Sequence, residues 1–336
     1  MQETQSLDAV KLAIAPQSAP MPVLVSVDLE SPTVPGISES VLHVITITHH
    51  AFAEQPAYAL RAAIEARDAG RLIALDSVGS APQSIALLPL IEPDIVIFSP
   101  ELIARRADAD VSRTVHSVAS CAERHGTVLI ADGVDSELHR RRALATGATH
   151  GMGKLYEPAT SLAEITTEHV APLPIPPAAP TRAVGETPFT IVSGLRAPVR
   201  SAKRLLIEMS IGLETLASGL GRDAICVGTF QYAENFTERT AARWRNLARH
   251  VTYAGVYGVG MSLTAIDGVH HAPLDTSDPL TSEWNVIVLS PHFSCVLSAL
   301  DLRRGTADQD REFDYVVSYD SDVVKRSARA VLRHFE

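Results

Sequence analysis

The segment APLPIPPAAPTRAVGETP, from Ala171 to Pro188, constrains this chain more than any other stretch. Its closely spaced prolines remove backbone donors and fix φ, so neither a helix nor a central strand runs through it. It divides the 336 residues into a part at 1–170, a proline-rich linker at 171–187 and a part at 188–336. At roughly 100–200 residues per domain, each flanking part is long enough to build its own core.

Before the linker, apolar runs alternate with amphipathic stretches. Met21 to Leu29, Val41 to Thr48, Arg71 to Ser77, Pro93 to Ser99 and Gly126 to Asp132 are almost continuously aliphatic or β-branched, the pattern of parallel strands covered on both faces. Between them, Ala57 to Gly70 and Ser117 to Gly126 place apolar residues at helical spacing and stop at a glycine. Repeated β-then-α order with right-handed crossovers leaves two α/β architectures, a barrel or an open doubly wound sheet. No GxGxxG motif follows a strand, so a nucleotide-binding open sheet has no positive support.

After the linker, Arg200 to Leu220 reads as one long amphipathic helix. The strand-like AICVGTF, the helical TERTAARWRNLARH, the strand-like VTYAGVYG and EWNVIVLS, and a terminal helix SDVVKRSARAVLRHF follow. This order predicts an α+β or α/β module. The balance of 29 Lys and Arg against 39 Asp and Glu, a net charge of −10, argues against a phosphate-backbone partner. No apolar run reaches the roughly 18 residues of a membrane span. The first twenty residues lack the basic start and apolar core of a secretory signal. Three cysteines, Cys121, Cys226 and Cys295, have no CxxC spacing. Together these features predict a cytoplasmic protein with neither a nucleic-acid nor a membrane partner.

Two stretches of the first part carry a resemblance. IALDSVGSAPQSIALLPLIEPDIVIFSPELI (Ile73 to Ile103) and HGTVLIADGVDSELHRRRALATGATHGMGK (His125 to Lys154) resemble EAL phosphodiesterase domains in the order and spacing of their elements. The resemblance covers roughly Met21 to Pro158. It implies a modified TIM barrel that hydrolyses cyclic di-GMP with two divalent cations, the carboxylates lying at the C-terminal barrel face.

Carried over position by position, the family pattern thins. The first aspartate of the family's pair is Asp76, but its partner is Ser77. The family's lysine falls on Ile97 and the aspartate after it on Ser99. The glutamate of AEGVE is Asp132, with Asp135 at the second acid, and the late glutamine is Met152. Upstream, Thr46 and His49 stand near the family's two glutamates, and Asp28 takes the place of its strand asparagine. No E-A-L signature precedes Met21, so the resemblance implies an incomplete or modified barrel. A rebuilt site would draw on Asp28, Asp76 and Asp132 for Mg2+ or Mn2+, with His49 as base. The other reading has these strand-end residues capping helices or facing solvent. His49 and His50, read as neighbours on a strand, point to opposite faces and do not share an ion.

The second part also resembles a known family. GTFQYAENFTERTAARWRNLARH, DPLTSEWNVIVLSPHFSCVLSALDLRRG and REFDYVVSYDSDVVKRSARAVLRHF are similar to the DICT sensory domain over roughly Pro188 to Phe335. The resemblance implies sensing and no chemistry. Phe230, Gln231, Phe236, Thr237 and Thr240 fall at a strand end and helix start, where donors and hydroxyls can meet a polar ligand. In the structural alternative Thr237 caps the helix and both phenylalanines are core. Glu283 and Trp284 open a strand, and His292 follows its end, where an imidazole can face a ligand or sense protons. Trp244 and Trp284 can stack on a planar group or pack in the core. His270 and His271 read as a loop pair. Cys226 and Cys295 read as buried small hydrophobes, and Asp320 and Asp322 as helix caps.

The reading of the whole is non-enzymatic: a DICT sensory domain coupled to an inactive EAL-like domain that acts through an unidentified signalling partner, with a small molecule in the sensory half. No catalytic residue and no cofactor is assigned. Homo-oligomerisation is left open. The competing readings are a cyclic di-GMP phosphodiesterase and a cyclic di-GMP receptor with a rebuilt site.

Overall fold

The computed structural model describes residues 22–26, 42–68, 70–156, 185–304, 308 and 311–333. Asp28, the stretch before residue 22 and most of the proline-rich segment lie outside these residues. The chain forms two compact units, the first holding a parallel sheet and the second a mixed one, with the short segments Pro56–Leu60 and Ile85–Leu90 grouped with the second.

The first unit runs β1 (Pro22–Ser26), β2 (Leu42–Thr48), α1 (His49–Glu54), α2 (Pro56–Asp68), β3 (Leu72–Val78), α3 (Leu88–Ile91), β4 (Ile95–Phe98), α4 (Pro100–Ala104), α5 (Ala109–His125), β5 (Val128–Ala131), α6 (Glu137–Ala145) and β6 (His150–Gly151). The six strands lie side by side in chain order and every pairing is parallel. Every residue of β4 and β5 is buried, which is why these strands read as unbroken apolar runs. Val44, Ala74, Ile95, Ile97, Val128 and Ile130 pack together as one layer of core. No pairing joins β6 to β1 among the described residues, and the architecture observed is a parallel sheet with helices.

Local signals place these helices. Asp108 caps α5 by accepting from Val111 N at 2.9 Å, and Gly126 ends it in the left-handed region at φ 68°, where a glycine carries no Cβ penalty. One expectation is corrected here. His49 and His50 open α1 behind the Thr48 cap, so they are not strand neighbours on opposite faces; their ring centroids lie 4.4 Å apart.

The second unit runs α7 (Pro188–Ser193), β7 (Val199–Ala202), α8 (Lys203–Leu220), β8 (Ile225–Tyr232), α9 (Glu238–Ala248), β9 (Tyr253–Val259), β10 (Thr264–Ile266), β11 (Val269–Pro273), β12 (Glu283–Leu289), β13 (Ser294–Asp301), β14 (Glu312–Ser318) and α10 (Ser321–Leu332). Its eight-stranded sheet has the order β10-β11-β9-β8-β12-β13-β14-β7. The pairs β11·β9 and β9·β8 are parallel, and the remaining pairs are antiparallel. Leu206 and Leu213 of α8 and Trp244 and Leu247 of α9 share one core with Cys226, Val286, Leu297 and Phe313, while α7 and α10 pack on strands of the same sheet.

Two readings of this unit change. The stretch from Arg200 is not all helix: Val199–Ala202 is an edge strand on β14, fastened by Arg200 Nε donating to Asp314 at 3.1 Å, and the helix begins at Lys203. The segment around His270 and His271 is not a loop. Asp267 and Gly268, at φ 51° and 83°, form the two-residue turn of the β10–β11 hairpin, as an Asp-Gly pair favours.

Candidate functional site

In the first unit the carried-over positions gather at the C-terminal ends of the parallel strands. Thr46 lies near the end of β2, Asp76 near the end of β3, Ser99 just after β4, Asp132 just after β5 and Met152 just after β6. The side-chain oxygens of Asp76, Ser99 and Asp132 serve local structure. Asp76 Oδ1 accepts from Ser77 N at 2.6 Å where the strand bulges and Ser77 takes φ 58°. Asp132 Oδ1 accepts from Gly133 N at 2.7 Å. Ser99 caps α4 through Leu102 N. Ile97 is 3 % exposed and packed in the core layer, and Met152 is exposed.

Asp135 accepts from Lys154 N at 2.9 Å. That hydrogen bond, with the Lys154 charge, holds its carboxyl below the usual range. The Thr46 hydroxyl and His49 Nδ1 are buried with no hydrogen-bond partner. Burial, and then the charge of His50, lowers the His49 imidazole below its usual range. Among the described residues no three His, Cys, Asp or Glu side chains converge as a metal-binding group.

In the second unit a cleft of about 390 Å³ opens between α8, the start of α9 and the sheet. Its floor is aromatic: Phe230 from β8, Trp284 from β12 and Phe313 from β14. Trp284 meets Phe313 edge-on at 5.9 Å, and the Arg311 guanidinium lies 5.4 Å above the Phe313 ring, a cation–π arrangement. One wall is the α8 stripe of Lys203, Arg204, Ile207, Ser210, Ile211 and Glu214, whose spacing puts them along one side of the helix.

Backbone conformation brings two neighbours of β8 to this cleft. Consecutive strand residues point to opposite faces, yet both Phe230 and Gln231 line it. The register of β8 on β9 shifts between Thr229 and Tyr232, and Gln231 takes φ 62°, an uncommon conformation outside glycine that is stored at functional sites. Gln231 is clamped there, accepting from Arg311 at 3.1 Å, while Arg311 also pairs with Asp301.

Of the eight sensory positions read from the sequence, Phe230, Gln231, Thr237, Thr240 and Trp284 line the cleft. Thr237 is also the α9 cap, its hydroxyl accepting from Thr240 N, so ligand-facing and capping roles coincide. The other three do not line it. Phe236 stands behind Phe230, edge-on at 4.9 Å. His292 is exposed in the β12–β13 connection. Glu283 precedes Trp284 on the strand and therefore points to the opposite face.

On that face Glu283 is 3 % exposed and belongs to a buried polar network. Its carboxylate accepts from Phe189 N and Asn285 Nδ2, each at 3.1 Å, and Asn285 also donates to the Thr229 hydroxyl at 2.9 Å. Burial pushes the Glu283 carboxyl above its usual range, against hydrogen bonds that favour the anion. A folded pKa above the unfolded one, about 4.3, makes this group stabilising below that value, and the stabilisation is lost as pH rises through the folded pKa. The urea midpoint therefore falls less on raising pH in Glu283→Gln than in the parent; equal pH slopes would count against this assignment.

The remaining candidates lie outside the cleft lining. Trp244 is fully buried. His270 stacks on Tyr253 at 4.7 Å and His271 meets Phe236 edge-on at 5.4 Å. Burial raises the Cys226 thiol well above its usual range and Cys295 to about 11, so neither is a ready nucleophile. Asp320 caps α10 through Asp322 N and Val323 N, whereas Asp322 sits in its first turn and pairs with Lys325 at 2.8 Å. Reading the sequence missed the α8 stripe, Arg239, Arg311 and Phe313. The signal available was Ser210 and Glu214, polar residues on the otherwise apolar buried side of α8.

Residues 37–159 match the family model of the EAL domain, and residues 190–302 match that of DICT, described as a sensory domain in diguanylate cyclases and two-component systems. Among solved structures, the Vibrio cholerae LapD S helix-GGDEF-EAL protein bound to c-di-GMP is 16 % identical over 46 % of this chain and 40 % of that one, with a TM-score of 0.36. The chain thus spans about two fifths of the length of that relative. The Bacillus subtilis YkuI protein, with an EAL domain, in complex with substrate c-di-GMP and calcium, is 13 % identical over 81 % of this chain and 68 % of that one, at a TM-score of 0.30. The Xanthomonas citri FimX EAL domain in complex with c-di-GMP is 15 % identical over 35 % and 61 % respectively, at 0.24. No curated protein sequence matches.

Proposed function

We propose that this chain, an EAL domain joined to a DICT sensory domain, is a non-hydrolysing component of cyclic di-GMP signalling. The DICT unit reads a small molecule, and the EAL unit passes that state on by binding a signalling partner. The observation that carries this reading is the chemistry of the strand ends. Two-cation phosphodiester hydrolysis needs several carboxylate oxygens to hold the ions and activate a water. Of the carried-over positions that are described, Thr46, Ser77, Ile97, Ser99 and Met152 supply no carboxylate; Asp76 and Asp132 each give an oxygen to the next backbone N–H and Asp135 gives one to Lys154 N. A donor set reduced to these three aspartates supports the non-hydrolysing reading.

The cytoplasm suits three buried cysteines outside any disulfide, and no helix among the described residues is long and apolar enough to cross a membrane. Self-association is a second route by which the EAL unit could pass on the sensory state; light scattering with and without the cleft's ligand tests it.

The deciding experiment is incubation of the full chain with cyclic di-GMP and Mg2+ or Mn2+. No linear dinucleotide forms if the reading holds. Turnover that is abolished by chelation and by Asp76→Ala would overturn it in favour of a phosphodiesterase with a rebuilt site that includes Asp28, Asp76 and Asp132, with His49 as base. Calorimetric titration with cyclic di-GMP, without turnover, separates the receptor reading from pure protein binding.

A further inference from the structure

We propose that the DICT cleft binds a small organic anion with a planar apolar body, its ring against Phe230, Trp284 and Phe313 and its charged head at Arg204 and Arg239. This rests on the sensory reading of the second unit and names the ligand class of that site. Four observations converge on it.

The first is the floor. Three aromatic side chains from separate strands, with Ile207 and Ile211 of α8, present apolar surface to a cavity of about 390 Å³, within the usual range for small-molecule sites. A flat ring gains contact there that an aliphatic polyol does not.

The second is unmet hydrogen bonding. Ser210 is 2 % exposed and lines the cleft, yet its hydroxyl has no partner; Trp284 also lines it, and its indole N–H is buried and without one. Each uncompensated buried polar group costs about 1–3 kcal/mol. A purely apolar guest would leave both unpaired, so the guest carries acceptors.

The third is charge. The lining holds five cations, Lys203, Arg204, Arg239, Arg243 and Arg311, against three acids, Glu208, Glu214 and Asp308, in a chain of net charge −10. Lys203 pairs with Asp308, Arg243 with Glu214, and Arg311 with Asp301 and Asp308. Arg204 and Arg239 have no acidic partner among the described residues. Glu208 at the rim is the one lining acid without an ion pair there. Two unspent guanidiniums around an apolar floor select an anionic head, which Arg binds by paired N–H donors.

The fourth is preorganisation. Gln231 is held at positive φ by Arg311 beside the floor, so the local strain is borne by the fold before a ligand arrives.

The test is calorimetric titration of the full chain, with tryptophan emission followed in parallel. 4-Hydroxybenzoate and adenosine monophosphate are the planar anions, one a carboxylate and the other a phosphate. 4-Hydroxybenzamide and adenosine are their uncharged counterparts, and inorganic phosphate is the head alone. At least one planar anion saturates the chain, and its uncharged counterpart binds about tenfold or more weakly; which anion binds identifies the head group. Inorganic phosphate alone does not saturate. The double variant Arg204→Ala, Arg239→Ala loses about tenfold or more in affinity with an unchanged thermal midpoint, Ser210→Ala weakens binding, and Arg249→Ala, outside the cleft, does not. Uncharged counterparts that bind as well as the anions, parental affinity in the double variant, or no saturation by either planar anion would overturn the proposal. Hydrolysis of cyclic di-GMP by the first unit would not touch it, so the two proposals fail separately.

Discussion

Trp244→Ala should remove about 3–5 kcal/mol of stability from the second unit, the largest single loss expected there. Trp244 is the largest fully buried side chain and fills the space between α9 and the sheet. Gly228 of β8 is shaped to admit it: a Cβ at that position would stand 2.8 Å from the indole ring. The indole N–H also donates to Glu214 at 3.1 Å, and Arg243 donates to the same carboxylate at 2.7 Å. The variant therefore opens a cavity and strips a donor from a carboxylate that is 5 % exposed. Trp244→Phe refills most of the apolar volume but not the hydrogen bond, so its loss should fall between parent and alanine. Urea unfolding followed by circular dichroism and by hydrogen exchange of β8 and β12 measures both. Equal midpoints for alanine and parent would mean that the unit does not depend on this contact.

Asp94→Ala should cost the first unit about 3–5 kcal/mol, whereas Asp76→Ala should cost about 1 kcal/mol, the worth of one hydrogen bond. The contrast separates a structural acid from a supposed catalytic one. Asp94 is 7 % exposed, accepts from Ile73 N at 2.8 Å and faces Arg67 at 3.6 Å. Arg67 in turn donates to the carbonyls of Ile91 and Glu92. Removing the carboxylate leaves a nearly buried guanidinium short of its counter-charge and the N–H of Ile73 without its partner. Asp76 is half-buried and holds the turn at Ser77. A loss at Asp76 as large as that at Asp94 would show that its environment is more demanding than the hydrogen bond described here.

These expectations follow from features of different legibility. The strands β2 to β5 could be read directly because burial on both faces leaves apolar residues at almost every position, a local property of the chain. The helix α5 was legible from its glycine stop, and Thr237 from its place before an amphipathic run. The hairpin at Asp267 and Gly268 carried its signal in two residues, yet the histidines beyond it suggested a loop. The strand β7 was hidden because Val199 to Ala202 joins the amphipathic pattern of α8 without a break, and what makes it extended is its partner β14, more than a hundred residues on.

The same division holds for the site. Residue identity alone decided which side chains stand at the EAL strand ends, since isoleucine, serine and methionine cannot supply carboxylate oxygen in any fold. Residue order alone likewise predicts a boundary at the prolines, because fixed φ and missing donors act locally. The cleft belonged to tertiary structure. Its walls come from α8, β8, α9, β12 and β14, and one of its floor residues reaches it beside a neighbour that alternation would have sent to the other face. Strand alternation puts Trp284 and Glu283 on opposite sides, but that one lines a cleft and the other sits in a buried network is decided only when strands and helices close over each other and set which groups water can still reach.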